Sequence, residues 1–162
     1  MKTKSIRIYE QGSYDVLKVE ETNIPILKSN EVLIKHHYLG LNYIDINQRN
    51  GSYKIKELPT NVGMEASGII EEVGKDVKRF KVGDKITHCM NLGSFTEYFV
   101  LNENRLVKLK NNIDLKLAAA STLQGLTAQY LTKKSWEVKN QDYVLIHAAS
   151  GGVGQILTQW SK

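Results

Sequence analysis

Asp142-Tyr143-Val144-Leu145-Ile146-His147, running into Ala148-Ala149-Ser150-Gly151-Gly152-Val153-Gly154, is the stretch on which the reading of this chain turns. Val144, Leu145 and Ile146 are apolar without alternation, as in a parallel strand buried on both faces. The glycines then mark a turn into a helix. In a dinucleotide-binding βαβ unit they allow a tight turn, let a pyrophosphate approach the backbone, and let the helix pack closely on its strand. The phosphates sit on unpaired N–H groups at the helix N-terminus. Ala149 occupies the first place of the pattern G-x-G-x-x-G, and Gly151 and Gly154 hold the other two. Val153, Ile156, Leu157 and Trp160 follow at i, i+3, i+4 and i+7, a helix face made to lie on a sheet. The acidic residue that grips a ribose about 20 positions further on has no place in the eight residues after Gly154. The expectation is therefore one β-α step of a nucleotide-binding fold.

Upstream of this step the period is helical. Asp114 is placed to cap Leu115-Lys116-Leu117-Ala118-Ala119-Ala120, and Leu123, Leu126, Tyr130 and Leu131 recur at helical spacing. The first hundred or so residues instead read as short strands separated by turns. Ser5-Ile6-Arg7-Ile8-Tyr9 alternates, Glu31-Val32-Leu33-Ile34-Lys35 is a short β-rich run, and Ile69-Ile70-Glu71-Glu72-Val73 is bracketed by Gly68 and Gly74. The turn Val82-Gly83-Asp84-Lys85 leads into another short run. Phe95-Thr96-Glu97-Tyr98-Phe99-Val100 and Arg105-Leu106-Val107-Lys108-Leu109 close the series. Regular short strands with glycine-bearing turns point to a barrel or sandwich.

Composition sets the outer bounds. The chain has 162 residues, 41% hydrophobic and 24% charged, the profile of a globular protein. That length holds one domain and a part of another. No apolar run reaches the roughly 18 residues of a membrane span, and the opening Met1-Lys2-Thr3-Lys4-Ser5-Ile6-Arg7 lacks an apolar signal region, so the expected compartment is the cytoplasm, with no membrane partner. Cys89 is the only cysteine, which excludes an internal disulfide and a thiolate zinc cluster. The net charge of +5 is spread over scattered lysines, so nucleic acid is not an expected partner. His36 and His37, adjacent in a strand, point to opposite faces and cannot share an ion.

Six blocks carry a resemblance. They are Gly40-Leu41-Asn42-Tyr43-Ile44-Asp45, Gly63-Met64-Glu65-Ala66-Ser67-Gly68, Val82-Gly83-Asp84-Lys85, Gly93-Ser94-Phe95-Thr96-Glu97-Tyr98, Gln124-Gly125-Leu126-Thr127-Ala128 and His147-Ala148-Ala149-Ser150-Gly151-Gly152-Val153-Gly154. In this order the chain resembles the medium-chain dehydrogenase/reductase superfamily and, within it, the zinc-independent, zeta-crystallin-like quinone oxidoreductases, over the N-terminal portion only. The resemblance implies a mainly β chain with α: a GroES-like β-barrel catalytic domain over residues 1–110, linking helices over 111–139, and the first β-α unit of a truncated Rossmann NADP-binding domain over 140–162. It implies an oxidoreductase transferring hydride from NADPH to a quinone or similar acceptor, with activity in the isolated chain absent or weak.

By the same resemblance Asn42, Tyr43, Asp45, Thr127 and Tyr130 lie beside the nicotinamide half of the cofactor. Gly151, Gly152 and Val153 hold the pyrophosphate through backbone N–H groups, and Tyr53 belongs to the substrate pocket. No side chain is assigned as acid or base, because the hydride comes from the cofactor and protons can come from solvent. No metal is expected: in zinc-dependent relatives a Gly-His-Glu motif supplies a ligand, and here the middle residue is Met64. Two other readings stay open, a non-enzymatic GroES-like remnant that binds a small molecule or protein, and RNA binding. Residues 142–162, with open strand edges, are expected to pair either with another copy in an arrangement unlike the family dimer or with a separately encoded Rossmann half.

Overall fold

The computed structural model describes all 162 residues. The chain forms strands β1 (Lys2–Ile8), β2 (Lys18–Asn23) and β3 (Glu31–Gly40), helix α1 (Tyr43–Asn50), then β4 (Thr60–Asn61), β5 (Glu65–Val73), β6 (Lys85–Cys89), β7 (Tyr98–Asn102) and β8 (Val107–Lys108). Helices α2 (Leu115–Gln129) and α3 (Gly152–Trp160) follow, with a π-helical turn at Tyr130–Ser135 between them. Two compact units result, Met1–Ala120 and Ser121–Lys162. No helix is long and apolar enough to cross a membrane.

In the first unit the strands form a sheet of order β2-β1-β4 and a five-stranded sheet of order β7-β3-β5-β6-β8, with every pairing antiparallel. Along β3, Val32 and Ile34 fall on one face, where they are fully buried. Ile34 stands opposite Ile70 of β5, and both pack with Phe80, Ile86 and Leu106. A row of hydroxyls joins the two sheets. Ser5 Oγ donates to Thr96 Oγ1 at 2.9 Å, Thr96 Oγ1 lies 3.1 Å from Thr3 Oγ1, and the Tyr98 N–H donates to Thr3 Oγ1 at 3.0 Å. All three hydroxyl residues are buried, and the mutual bonding offsets the cost of desolvating them.

Strand β2, Lys-Val-Glu-Glu-Thr-Asn, has no counterpart in the expectations from sequence. It is an edge strand with an exposed or partly exposed side chain at every position, so no apolar face advertises it. Helix α1 was also not legible as a helix, since only Ile44 and Ile46 interrupt its polar run. Phe95-Thr96-Glu97 contributes one isolated bridge, Ser5 to Thr96, and the ladder begins at Tyr98.

In the second unit, Asp142–Ile146 carries no ladder hydrogen bonds. A strand exists only through its neighbours, and no other strand lies in Ser121–Lys162. Instead Asp142 closes a turn, its Oδ2 accepting from the Lys139 N–H at 2.9 Å. Tyr143 and Leu145 are exposed, as are Trp136 and Trp160. A cleft of about 630 Å³ is lined by Leu131, Trp136, Tyr143, Leu145 and Leu157 among others.

Replacing Ile70 by Ala removes buried volume opposite Ile34 and is expected to cost about 2–5 kcal/mol. Leu145→Ala, at an exposed site, should stay within about 0.5 kcal/mol. Urea unfolding monitored by circular dichroism measures both, and equal losses would contradict this assignment of the core.

Candidate functional site

The candidate residues of the first unit gather around the start of α1. Asn42, in extended conformation, is the N-cap, and its backbone N–H donates to Asp45 Oδ2 at 2.7 Å. A carboxylate at the third helical position that reaches back in this way is one arm of a capping box. The side chain of Asn42 turns inward, Nδ2 donating to Glu65 Oε2 at 2.7 Å. Asn42, Asp45 and Glu65 are all buried. Gly40 completes the packing, because a Cβ there would stand 2.5 Å from Glu65 Oε2 and 2.3 Å from the carbonyl oxygen of Ala119.

Burial pushes the Asp45 carboxyl above its ordinary pKa, and the N–H groups of Asn42 and Met64 pull it partly back. Asp45 Oδ1 has no hydrogen-bond partner. Asp45 also lines a cavity of about 50 Å³ with Leu41, Arg49 and Phe95. Met64, in the place where a zinc-binding histidine stands in the zinc-dependent pattern, is buried and its Sδ accepts from Gln48 Nε2 at 3.4 Å. Tyr43 and Tyr53 are exposed aromatics at either end of α1. The Tyr53 backbone is held by its N–H to Asn47 O at 2.9 Å and by Gln11 Nε2 donating to its carbonyl at 2.9 Å. Asn42, Tyr43 and Asp45 therefore stand together at the start of α1, and Tyr53 lies beyond its C-terminal end. Glu65, the buried carboxylate under Asn42, was missed; the signal was a glutamate inside the otherwise small and apolar run Met64–Ile70.

In the second unit, Thr127 lies on α2 and Tyr130 opens the π-helical turn. The Thr127 hydroxyl donates to Leu123 O at 2.7 Å, so toward any ligand it can only accept. Tyr130 is exposed. In the glycine turn the left-handed residue is Ala148, φ 52°. Gly151 is the N-cap of α3 and no side chain caps the helix, so its first N–H groups are available to an anion. A Cβ on Gly152 would stand 2.4 Å from the Gln124 side chain, and one on Gly154 2.2 Å from the carbonyl oxygen of Ala148. The site fits a pyrophosphate through the Gly152 and Val153 N–H groups at an uncapped helix N-terminus; the Gly151 N–H is already bonded to the Ala148 carbonyl oxygen at 2.9 Å, and the Gln124 side chain lies beside Gly152.

His36 of β3 meets a histidine of another strand, His88 of β6, Nε2 to Nε2 at 2.9 Å. Nowhere do three or more His, Cys, Asp or Glu side chains gather as a metal site would need. Burial, and next the charge of Glu65, raise the Cys89 thiol above its ordinary pKa, which leaves it unreactive at neutral pH.

Residues 28–111 match the alcohol dehydrogenase GroES-like domain family. A quinone oxidoreductase of Pseudomonas aeruginosa is 39% identical over 160 residues, which are 98% of this chain and 49% of that protein. The crystal structure of the Pseudomonas syringae quinone oxidoreductase superposes with a TM-score of 0.94 at 38% identity, covering 99% of this chain and 50% of the other. The Escherichia coli quinone oxidoreductase, solved in complex with NADPH, gives 0.93 at 35% identity, covering 98% and 49%. The chain spans about half the length of these relatives. With its β-rich unit, its capped α1 and its glycine turn, it belongs to the alcohol dehydrogenase GroES-like domain family and corresponds to the N-terminal portion of the quinone oxidoreductases of the medium-chain dehydrogenase/reductase superfamily.

Proposed function

We propose that this chain supplies the catalytic-domain half of a cytoplasmic NADPH:quinone oxidoreductase. The observation that carries the reading is the uncapped N-terminus of α3, fronted by Gly151 and Gly152, in a chain similar along its whole length to quinone oxidoreductases. NADPH bound there supplies the hydride that reduces a quinone or similar acceptor. Gly152 and Val153 hold the pyrophosphate by backbone N–H groups, and Gly151, whose N–H is engaged by the Ala148 carbonyl oxygen, lets it approach the backbone. Thr127 accepts from a carboxamide N–H, Tyr130 and Tyr43 border the nicotinamide, and Tyr53 borders the acceptor. Asn42 and Asp45 act as a preorganised pair, because each is already fixed by a partner within the fold. Exposed Tyr143 and Leu145 accept a partner sheet, from a nucleotide-binding half or from a second copy.

The hydrogen bond from Asn42 to the Glu65 carboxylate separates a fold role from a cofactor role. Asn42→Ala is expected to lower stability by about 1.5–3 kcal/mol, the worth of a hydrogen bond to a charged group, measured by denaturant titration without cofactor. No change in stability would remove the preorganisation argument.

The proposed chemistry uses no zinc, since Met64 offers a thioether already engaged by Gln48. After dialysis against a weak chelator the purified chain should hold zinc well below one equivalent by elemental analysis. One equivalent retained would refute this.

The chain by itself is expected to bind NADPH weakly. Three or four charged hydrogen bonds to the adenosine half, at roughly 1.5–3 kcal/mol each, are worth several orders of magnitude in affinity. Calorimetry with NADPH and a 1,4-benzoquinone reduction assay should show negligible turnover for the chain alone and turnover when it is joined to a complete nucleotide-binding half. Micromolar binding with turnover by the monomeric chain would overturn the requirement for that half, and no turnover in the joined protein would overturn the enzymatic reading.

A further inference from the structure

Strands β3 and β6 are not neighbours, yet a histidine from each meets the other across β5. His36 stands in register with Gly68 and His88 with Ala66. Residues 66 and 68 lie on one face of β5, and neither carries more than a methyl group. The two imidazoles lean over this bare patch until their Nε2 atoms are 2.9 Å apart. Phe99 covers both, its ring centroid 5.7 Å from that of His36 and 5.5 Å from that of His88.

The neighbouring acceptors indicate where the protons in this group lie. His36 Nδ1 lies 2.9 Å from the carbonyl oxygen of Thr96, which can only accept, so Nδ1 carries the proton. Neutral His36 then has a bare Nε2, which accepts from Nε2–H of His88. The bare Nδ1 of His88 accepts from Asn91 Nδ2 at 3.3 Å, and Asn91 Nδ2 also donates to Cys89 O at 2.9 Å. Asn91 Oδ1 accepts from Arg105 Nε at 2.9 Å, and Arg105 Nη2 donates to Met90 O at 3.1 Å. Every donor has one acceptor, in one direction from Arg105 to Thr96. The relay holds a turn whose backbone needs holding, since Met90 is left-handed at φ 60°.

An added proton has nowhere to go. Protonating His36 forces His88 to turn its bare nitrogen toward His36 and its N–H toward Asn91. An amide flip at Asn91 then sets its NH2 against Arg105. A second proton sets N–H against N–H between the rings. The titratable and charged groups around the pair are Arg105, reached through Asn91; Glu65 and Cys89, paired where β5 meets β6; His37, next to His36; Lys35, which lies over Tyr98; and Lys4 and Glu97, bonded through the Lys4 N–H. None of the carboxylates is bonded to either ring.

We propose that the His36–His88 pair is an acid-operated latch: neutral, it fixes the Met90–Thr96 turn against β3, and doubly protonated, it releases that turn. Burial supports the neutral form, lowering His36 to about 4 against the opposing pull of the Thr96 and Ser94 backbone hydrogen bonds, and lowering His88 to about 3. A released imidazole has a pKa of about 6.5, so the open form binds protons that the closed form refuses. The stability of the closed turn is thus complete above about pH 6.5 and falls as the pH drops toward 4. Where the open form holds two protons and the closed form none, each pH unit raises the open fraction about 100-fold.

The test is made on the full chain. Imidazole nitrogen NMR at pH 7 should find the proton on Nδ1 of His36 and on Nε2 of His88. Amide exchange at residues 91–97, corrected for intrinsic rate, should show opening that climbs by about 100-fold per pH unit in the window below pH 6. A His36→Gln/His88→Gln variant that folds should lose this slope. Either ring titrating near 6.5 with the turn still protected, a slope under tenfold per pH unit, or an unchanged slope in the folded variant would overturn the proposal. If the variant does not fold, the wild-type tautomers and slope decide.

Discussion

Strand β5 is where the first unit admits no freedom. From Glu65 to Gly68 it is buried at every residue, and a Cβ at Gly68 would lie 2.1 Å from the carbonyl oxygen of Lys35, so β3 can approach only because residue 68 has no side chain. The close approach sets the register that puts Ile34 opposite Ile70, and with it the apolar cluster on which the sheet depends. Further along the same face the bare patch of Ala66 and Gly68 makes room for His36 and His88.

The start of β5 fixes the site as firmly as its middle fixes the core. Glu65 takes the amide of Asn42, and Gly40 leaves room for that carboxylate between β3 and the Ala119 carbonyl. Asp45 in turn closes back on the Asn42 N–H. A buried carboxylate is tolerated only with such partners, so the residues proposed to position a ligand are also residues that the fold cannot spare. That coupling explains why polar side chains with no apolar stripe form a defined helix at α1.

The second unit follows the opposite rule. Its glycine turn is fully specified, because Gly154 meets the Ala148 carbonyl and Gly152 meets Gln124 within the same unit. Its strand is not, because ladder partners cannot come from a segment that contains no other strand. Local chemistry completes the turn and helix α3; non-local chemistry is needed for the sheet.

What the sequence determined by itself was whatever depends on neighbours along the chain. Alternation marked β1, a short β-rich run marked β3, bracketing glycines marked β5, spacing marked α2 and the face of α3, Asp114 marked a cap that does accept from the Lys116 N–H at 2.6 Å, and the glycines marked the turn before α3. The six ordered blocks identified the family. What only tertiary structure decided was whatever depends on residues far apart: the edge strand β2, the burial of Glu65 under Asn42, the missing ladder at Asp142–Ile146, and the meeting of His36 with His88, 52 positions away. Those pairings have no local signature, because hydrogen bonds across a sheet depend on register, and register is set when strands pack.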